Sequence, residues 1–280
     1  MEAYIQGQEY ENGIGGVLRD MKKALEFYQK SSDLGYKKAT IKLTTNVSQQ
    51  QGIIREAEVL LEKADLETFA GVISSNSFYQ RVVEKGNGDA MYNLGRCYKK
   101  GLGVPKNIQK AIELLKRAVE LGNTNAMNSL GYCYNNGEGV TKDIQKAIEL
   151  YERAVELGNA KAMYNLGYCY RYGEGVSKDM KKAFELYERA VELGNANAMV
   201  NLGYCYEYGE GVTKDMKKAV ELWKRAAELG NAEAMVNLGV CYYNGEGVSK
   251  DIQKAIELYE RAAALGNSYS KSALERLGHK

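Results

Sequence analysis

Apolar positions between residues 158 and 193 fall into two helical stripes separated by a glycine-rich turn. Ala162, Leu166, Cys169 and Tyr170 stand at i, i+4, i+7 and i+8, one face of a helix. This helix A is predicted from Ala160 to about Tyr172, behind an Asn159 N-cap. Gly173-Glu-Gly175 ends it, because glycine takes the φ > 0 conformations of a tight turn. Asp179 then caps a helix B running to about Leu193, with Met180, Ala183, Phe184, Tyr187, Ala190 and Val191 expected to face inward. On its wet side Glu185 and Arg189 have i, i+4 spacing for an ion pair, as do Glu149/Arg153, Glu221/Arg225 and Glu257/Arg261. Gly194 supplies the residue that lets the chain turn onward.

The pattern recurs. Cysteines stand at 97, 133, 169, 205 and 241, each 36 residues after the last, and near copies of the segment begin at Gly86, Gly122, Gly158, Gly194 and Gly230. Five units thus cover residues 86–265. In the first, Asn107 takes the place of the capping Asp, and the only proline, Pro105, lies two residues before that cap, where no helix has begun. A single 36-residue hairpin cannot bury both its apolar faces, so the units must stack. Gly167 and its equivalents 95, 131, 203 and 239 sit mid-helix, where glycine costs about 1 kcal/mol relative to alanine. They predict a close helix crossing that a larger side chain would prop open. The expected fold is all-α: a right-handed superhelical α-solenoid with one concave and one convex face.

Outside the five units the pattern weakens. Residues 1–36 read as a degenerate copy: Gly7, Tyr10, Gly13 and Gly15 keep the glycine-loop spacing, and Asp20-Met-Lys-Lys-Ala24 matches Asp215-Met-Lys-Lys-Ala219. Residues 37–85 lack the glycine loop and read as a diverged helical segment, with helices expected near 37–48, 53–64 and 66–84. Residues 266–280 predict a polar capping helix opened by Gly266-Asn267.

The residues Leu166, Gly167, Tyr170, Gly173, Gly175, Val176, Asp179, Lys182, Ala183, Ala190 and Gly194 make a pattern that resembles the Sel1-like repeats, relatives of the tetratricopeptide repeats. The resemblance implies non-enzymatic adaptors that hold other proteins together, in bacterial signalling, host contact or endoplasmic-reticulum quality control. Some secreted relatives carry two disulfide-joined cysteines per repeat. This chain has one, which weakens a secreted reading.

Composition removes most chemistry. The sole histidine, His279, is next to last, so histidine-based catalysis and metal binding lose their usual residue. A net charge of +2, from 38 basic and 36 acidic residues, lacks the strong positive field of a nucleic-acid binder. No 18-residue apolar run and no basic-then-apolar leader is visible, so neither membrane insertion nor secretion is expected. Cysteines one per unit, on helices stacked about 8–10 Å apart, are too distant for disulfides or a shared metal and lie on the apolar stripe. They read as core residues in a reducing, cytoplasmic compartment. The Gly-x-Gly-Val-Ser/Thr-Lys-Asp loops lack phosphate-loop spacing and follow a helix, so they read as turns. No catalytic residue, cofactor or metal site is expected, and Trp223 reads as a core aromatic.

Comparing the copies isolates a second face of helix A, where the packing pattern leaves the residue type free. It comprises Tyr92, Arg96, Lys99 and Lys100 in the first unit, and Asn128, Tyr132, Asn135 and Asn136 in the second. The third has Tyr164, Tyr168, Arg171 and Tyr172, and the fourth Val200, Tyr204, Glu207 and Tyr208. The fifth has Val236, Val240, Tyr243 and Asn244, and Asn93, Ser129, Asn165, Asn201 and Asn237 border the band. By analogy with related helical repeats, helix A lines the concave side. Tyrosine and arginine are frequent binding hot spots, and asparagine amides can hold an extended peptide backbone. Tyr168-type residues fit either binding or packing between neighbouring helices, whereas the 99/100-type positions are expected to be solvent-exposed. The expected function is an adaptor that takes a partner protein segment along this groove. The alternative is a structural subunit docking through residues 37–85 or the convex face.

Overall fold

The structure is a computed structural model and describes residues 86–278. The expectations for residues 1–36 and 37–85, and His279, lie outside the described residues.

Among the described residues there are eleven α-helices and no strands. Ten form five consecutive A/B pairs: α1 (Gly88–Lys100) with α2 (Ile108–Glu120), α3 (Thr124–Asn136) with α4 (Ile144–Glu156), α5 (Ala160–Tyr172) with α6 (Met180–Glu192), α7 (Ala196–Tyr208) with α8 (Met216–Glu228), and α9 (Ala232–Asn244) with α10 (Ile252–Ala264). The last, α11 (Ser268–Arg276), packs on α10. Each helix packs mainly against its two neighbours in sequence, which makes this part of the chain an α-solenoid.

Local chemistry fixes the boundaries. The Asn159 side chain accepts from the Ala162 N–H at the start of α5, and Asp179 accepts from the N–H groups of Lys181 and Lys182 at the start of α6. At the end of α5 the N–H groups of Gly173 and Glu174 both donate to the Cys169 carbonyl, at 2.8 and 2.9 Å. The turn is tied back by the Asp179 N–H on the Tyr170 carbonyl, 2.9 Å away. At the end of α6, Gly194 at φ 78° donates to Val191 and Asn195 to Ala190, both at 3.0 Å. Asn195 is already the N-cap of α7, so a single turn closes one unit and opens the next.

The core is built from one stripe per helix. Ala162, Met163, Leu166 and Cys169 of α5 are buried, and so are Ala183, Leu186, Tyr187, Ala190 and Val191 of α6. Met163 and Leu186 escape the expected stripes, while Tyr170, Met180 and Phe184 are only half-buried. The ring of Phe184 instead meets that of Tyr206 in the next unit edge-on, with centroids 5.6 Å apart. Trp223 is a core residue, 2 % exposed. The mid-helix glycine does mark a close crossing, filled in the last four units by an aromatic ring of the same unit's helix B and in the first by aliphatic side chains. A Cβ at Gly167 would lie 2.7 Å from Tyr187 Cε1.

The expected Glu-x-x-x-Arg pairs on helix B are a correction: none closes to within ion-pair distance in α4, α6, α8 or α10. The Arg261 guanidinium reaches the Ala227 carbonyl of the preceding helix B at 3.4 Å instead. Exposed charges gain little from pairing, so the longer side chain is free to reach the preceding unit.

Candidate functional site

Because alanine, leucine and cysteine turn one side of each helix A inward, the opposite positions are gathered into a band running from α1 to α9. Part of this band is open. Tyr132, Tyr168, Tyr172, Tyr208 and Tyr243 are 49, 38, 53, 62 and 42 % exposed. Large aromatics left in water at this density depart from the usual partition of side chains. The rings of Tyr168 and Tyr172 lie 4.4 Å apart, and those of Tyr204 and Tyr208 stack at 6.3 Å. At the start of the band Arg96, Lys99, Lys100, Leu115, Asn128 and Tyr132 line a shallow pocket, with the Arg96 guanidinium 5.5 Å over the Tyr92 ring.

The rest of the band stitches units together, which corrects several expectations. The bordering asparagines are engaged: Asn165 Nδ2 donates to Asn128 Oδ1 at 2.8 Å, Asn201 Oδ1 accepts from Arg171 at 2.9 Å, and Asn237 Nδ2 donates to the Tyr204 hydroxyl at 2.8 Å. That hydroxyl in turn donates to Glu233 at 3.0 Å, so Tyr204 is a packing residue while Tyr132 and Tyr168 face solvent. Tyr164 is half-buried with its ring 6.2 Å from that of Tyr187. Asn93 is half-buried, and Asn135 is half-buried with a buried Oδ1 that meets no donor. Val200, included among the free positions, is 1 % exposed, and its carbonyl accepts from the indole N–H of the buried Trp223 at 3.2 Å.

Four of the five 99-type positions are corrected too, while Tyr243 is exposed as expected. Lys99 Nζ lies 2.6 Å from Glu138 in the glycine turn of the next unit, over the Tyr132 ring. Arg171, only 11 % exposed in its side chain, stands 2.8 Å from Glu210 of the next turn and faces the rings of Tyr172 and Tyr204. Burial opposes charging in both, and the facing carboxylate outweighs it, so both cations are held above their ordinary pKa. Lys100 and Tyr208 are exposed as expected. Glu207 is half-buried, and its carboxyl is raised first by burial and then by the charge of Glu246.

The cysteines are buried and free. Burial pushes the thiols of Cys97, Cys169 and Cys205 up to about 11 and that of Cys241 to about 12. Such thiols are poor nucleophiles at neutral pH. Among the described residues no three His, Cys, Asp or Glu side chains are grouped to hold a metal, and no helix is long and apolar enough to cross a membrane.

The Sel1 repeat family profile matches residues 7–36, 88–123, 124–159, 160–195, 196–231 and 232–267. The chain belongs to the Sel1-repeat family. The profile's repeats begin two residues after the units counted from Gly86, at the first turn of each helix A. A Sel1 repeat protein from Oxalobacter formigenes is 35 % identical, over 68 % of this chain and 77 % of that one, with a TM-score of 0.64. The c5321 protein of uropathogenic Escherichia coli, a protective antigen with an SLR fold, is 27 % identical with a TM-score of 0.60. That match covers 98 % of this chain and 56 % of that one. The immunity protein Pa5087 of Pseudomonas aeruginosa is 25 % identical over 77 % of this chain and 81 % of that one, with a TM-score of 0.53. No match was found among curated proteins. Sel1-repeat proteins are repeat scaffolds that mediate protein–protein interaction.

Proposed function

We propose that this Sel1-repeat protein is an adaptor that binds a segment of a partner protein along the helix-A face, in a reducing, cytoplasmic compartment. The supporting observation is the row of five exposed tyrosines on the band, at positions whose neighbours are used to join the units. Tyrosine offers a large, rigid, amphipathic contact at low entropic cost. The engaged amides and cations tie the residues around that row to the neighbouring units, and such preorganisation lowers the ordering cost of binding. The free thiols favour the compartment, since paired cysteines mark oxidising ones.

The test is site-specific photo-crosslinking from positions 132, 172 and 208, compared with position 185 on helix B, in cells of the source organism. A partner captured from the first three and absent from the fourth supports the groove. Tyr132→Ala, Tyr172→Ala and Tyr208→Ala are then each expected to weaken that partner by about 1–2 kcal/mol. Capture from position 185 alone would move the interface to the helix-B side. For the alternative reading, residues 37–85 lie outside the described residues.

A further inference from the structure

The helix-A band carries a repeated device that changes sign at one boundary. At two junctions the 99-type residue of one unit is a cation that pairs with the glutamate in the glycine turn of the next unit. Lys99 lies 3.9 Å from Cys133 Sγ and 2.6 Å from Glu138. Two units later Arg171 pairs with Glu210, and both act on the Cys205 thiol. At the next junction the corresponding residue is Glu207, and it and Glu246 both act on the Cys241 thiol. A carboxylate therefore stands where two other units place a cation, opposite the usual carboxylate, and where the second unit has the neutral Asn135.

We propose that this junction, between Glu207 and Tyr208 at the end of α7 and Glu246 in the turn after α9, receives an arginine or lysine side chain of the partner segment. The chain displays the occupied state one repeat earlier. There the Arg171 guanidinium lies 2.8 Å from Glu210, 2.9 Å from Asn201 Oδ1 and 5.5 Å from the centre of the Tyr172 ring. The equivalent groups are Glu246, Asn237 and Tyr208. Glu246 and Tyr208 are exposed, and Asn237 spends its amide N–H on Tyr204, which leaves its carbonyl oxygen to accept. Glu246 is met within the chain by Asn244 Nδ2 at 3.2 Å, and Lys214 is the cation whose charge eases Glu207. Neither closes an ion pair with the two carboxylates among the described residues. Two like charges held together attract a cation, and a guanidinium meets a carboxylate and a ring face at once.

The inference rests on the helix-A face being the binding surface, and the experiment separates the two. ¹⁵N-labelled full-length protein is titrated with N-acetyl-arginine amide, with N-acetyl-glutamate amide as control. Saturable shifts at the end of α7 and in the Gly245–Gly247 turn, with arginine only, are expected. Glu207→Arg, which supplies the cation from within, and Glu246→Gln should each abolish them. Peptides selected on the full chain from a random 12-residue library should carry a basic residue and weaken on the order of ten-fold in either variant. Peptides that lose binding to Tyr132→Ala and Tyr168→Ala but are indifferent to Glu207→Arg and Glu246→Gln would sink the cation site and keep the groove. Arginine shifts at the junction, with selected peptides indifferent to the tyrosine variants, would keep the site and sink the groove.

Discussion

The five mid-helix glycines form an internal series in which one substitution meets three kinds of neighbour: leucine once, tyrosine three times and tryptophan once. An alanine Cβ at Gly95 would lie 3.5 Å from Leu114 Cβ and Leu115 Cγ, ordinary contact, and 3.3 Å from the Ala111 carbonyl oxygen, which must give by a few tenths of an ångström. Alanine also recovers about 1 kcal/mol of helix propensity, so Gly95→Ala should be neutral or stabilising by up to about 1 kcal/mol. At Gly167 the same Cβ meets Tyr187 at 2.7, 3.0 and 3.3 Å, and that ring is fully buried. Overpacking costs about 1–3 kcal/mol, so the net effect should be a loss of about 0–2 kcal/mol. At Gly203 the Cβ would overlap Trp223 Nε1 and displace its hydrogen bond to Val200. A stranded buried donor costs about 1–3 kcal/mol more, which brings the expected loss to about 1–5 kcal/mol.

The series is read by urea unfolding followed by far-UV circular dichroism and Trp223 fluorescence. Hydrogen exchange by unit accompanies it, because stacked repeats need not unfold as one. The decisive comparison is a double-mutant cycle. In a Trp223→Leu background, which reproduces the Leu115 environment of the first unit, Gly203→Ala should cost no more than Gly95→Ala does. A Gly203→Ala penalty that survives Trp223→Leu, or one no larger than that of Gly95→Ala, would refute the account of these glycines as room for a ring.

Three further outcomes are expected. With Cys169 and Cys205 pushed up to about 11, only about one thiol in a thousand is ionised at pH 8, so alkylation by iodoacetamide should track unfolding; rapid labelling of native protein in mass spectra would contradict this. Asp179→Ala removes the acceptor for two N–H groups of α6 and should cost about 0.5–2 kcal/mol, with exchange increasing first at Lys181 and Lys182. Glu207 is raised by burial and by Glu246, against Lys214 and a hydrogen bond from Tyr208, so its contribution is full below its unfolded value of about 4.3 and is lost as pH rises through the folded value. Glu207→Gln should therefore gain in urea midpoint relative to the parent between pH 4 and pH 7, and a constant difference across that range would disprove the repulsion.

How much was legible in sequence follows from the range of each interaction. Asn159, Asp179 and Gly194 cap and turn helices through groups within four residues of themselves, so the sequence alone determined those boundaries, the 36-residue period and the solenoid. The core stripes were legible in outline for the same reason, but Met163 and Leu186 escape them, Tyr170 and Met180 are only half-buried, and Phe184 crosses a unit boundary to reach Tyr206. The helix-A band looked like an open face because its residue types vary between copies. Only the tertiary structure revealed that Arg171 is paired with Glu210, 39 positions on, and that Asn165 is spent on Asn128, 37 positions back. Val200 is hidden, and its carbonyl meets a tryptophan at 223, in another helix. Caps and periodicity are enforced by the backbone within one turn of helix. Pairing across a stack depends on how far each side chain reaches when the units come to rest, and no local pattern encodes that distance.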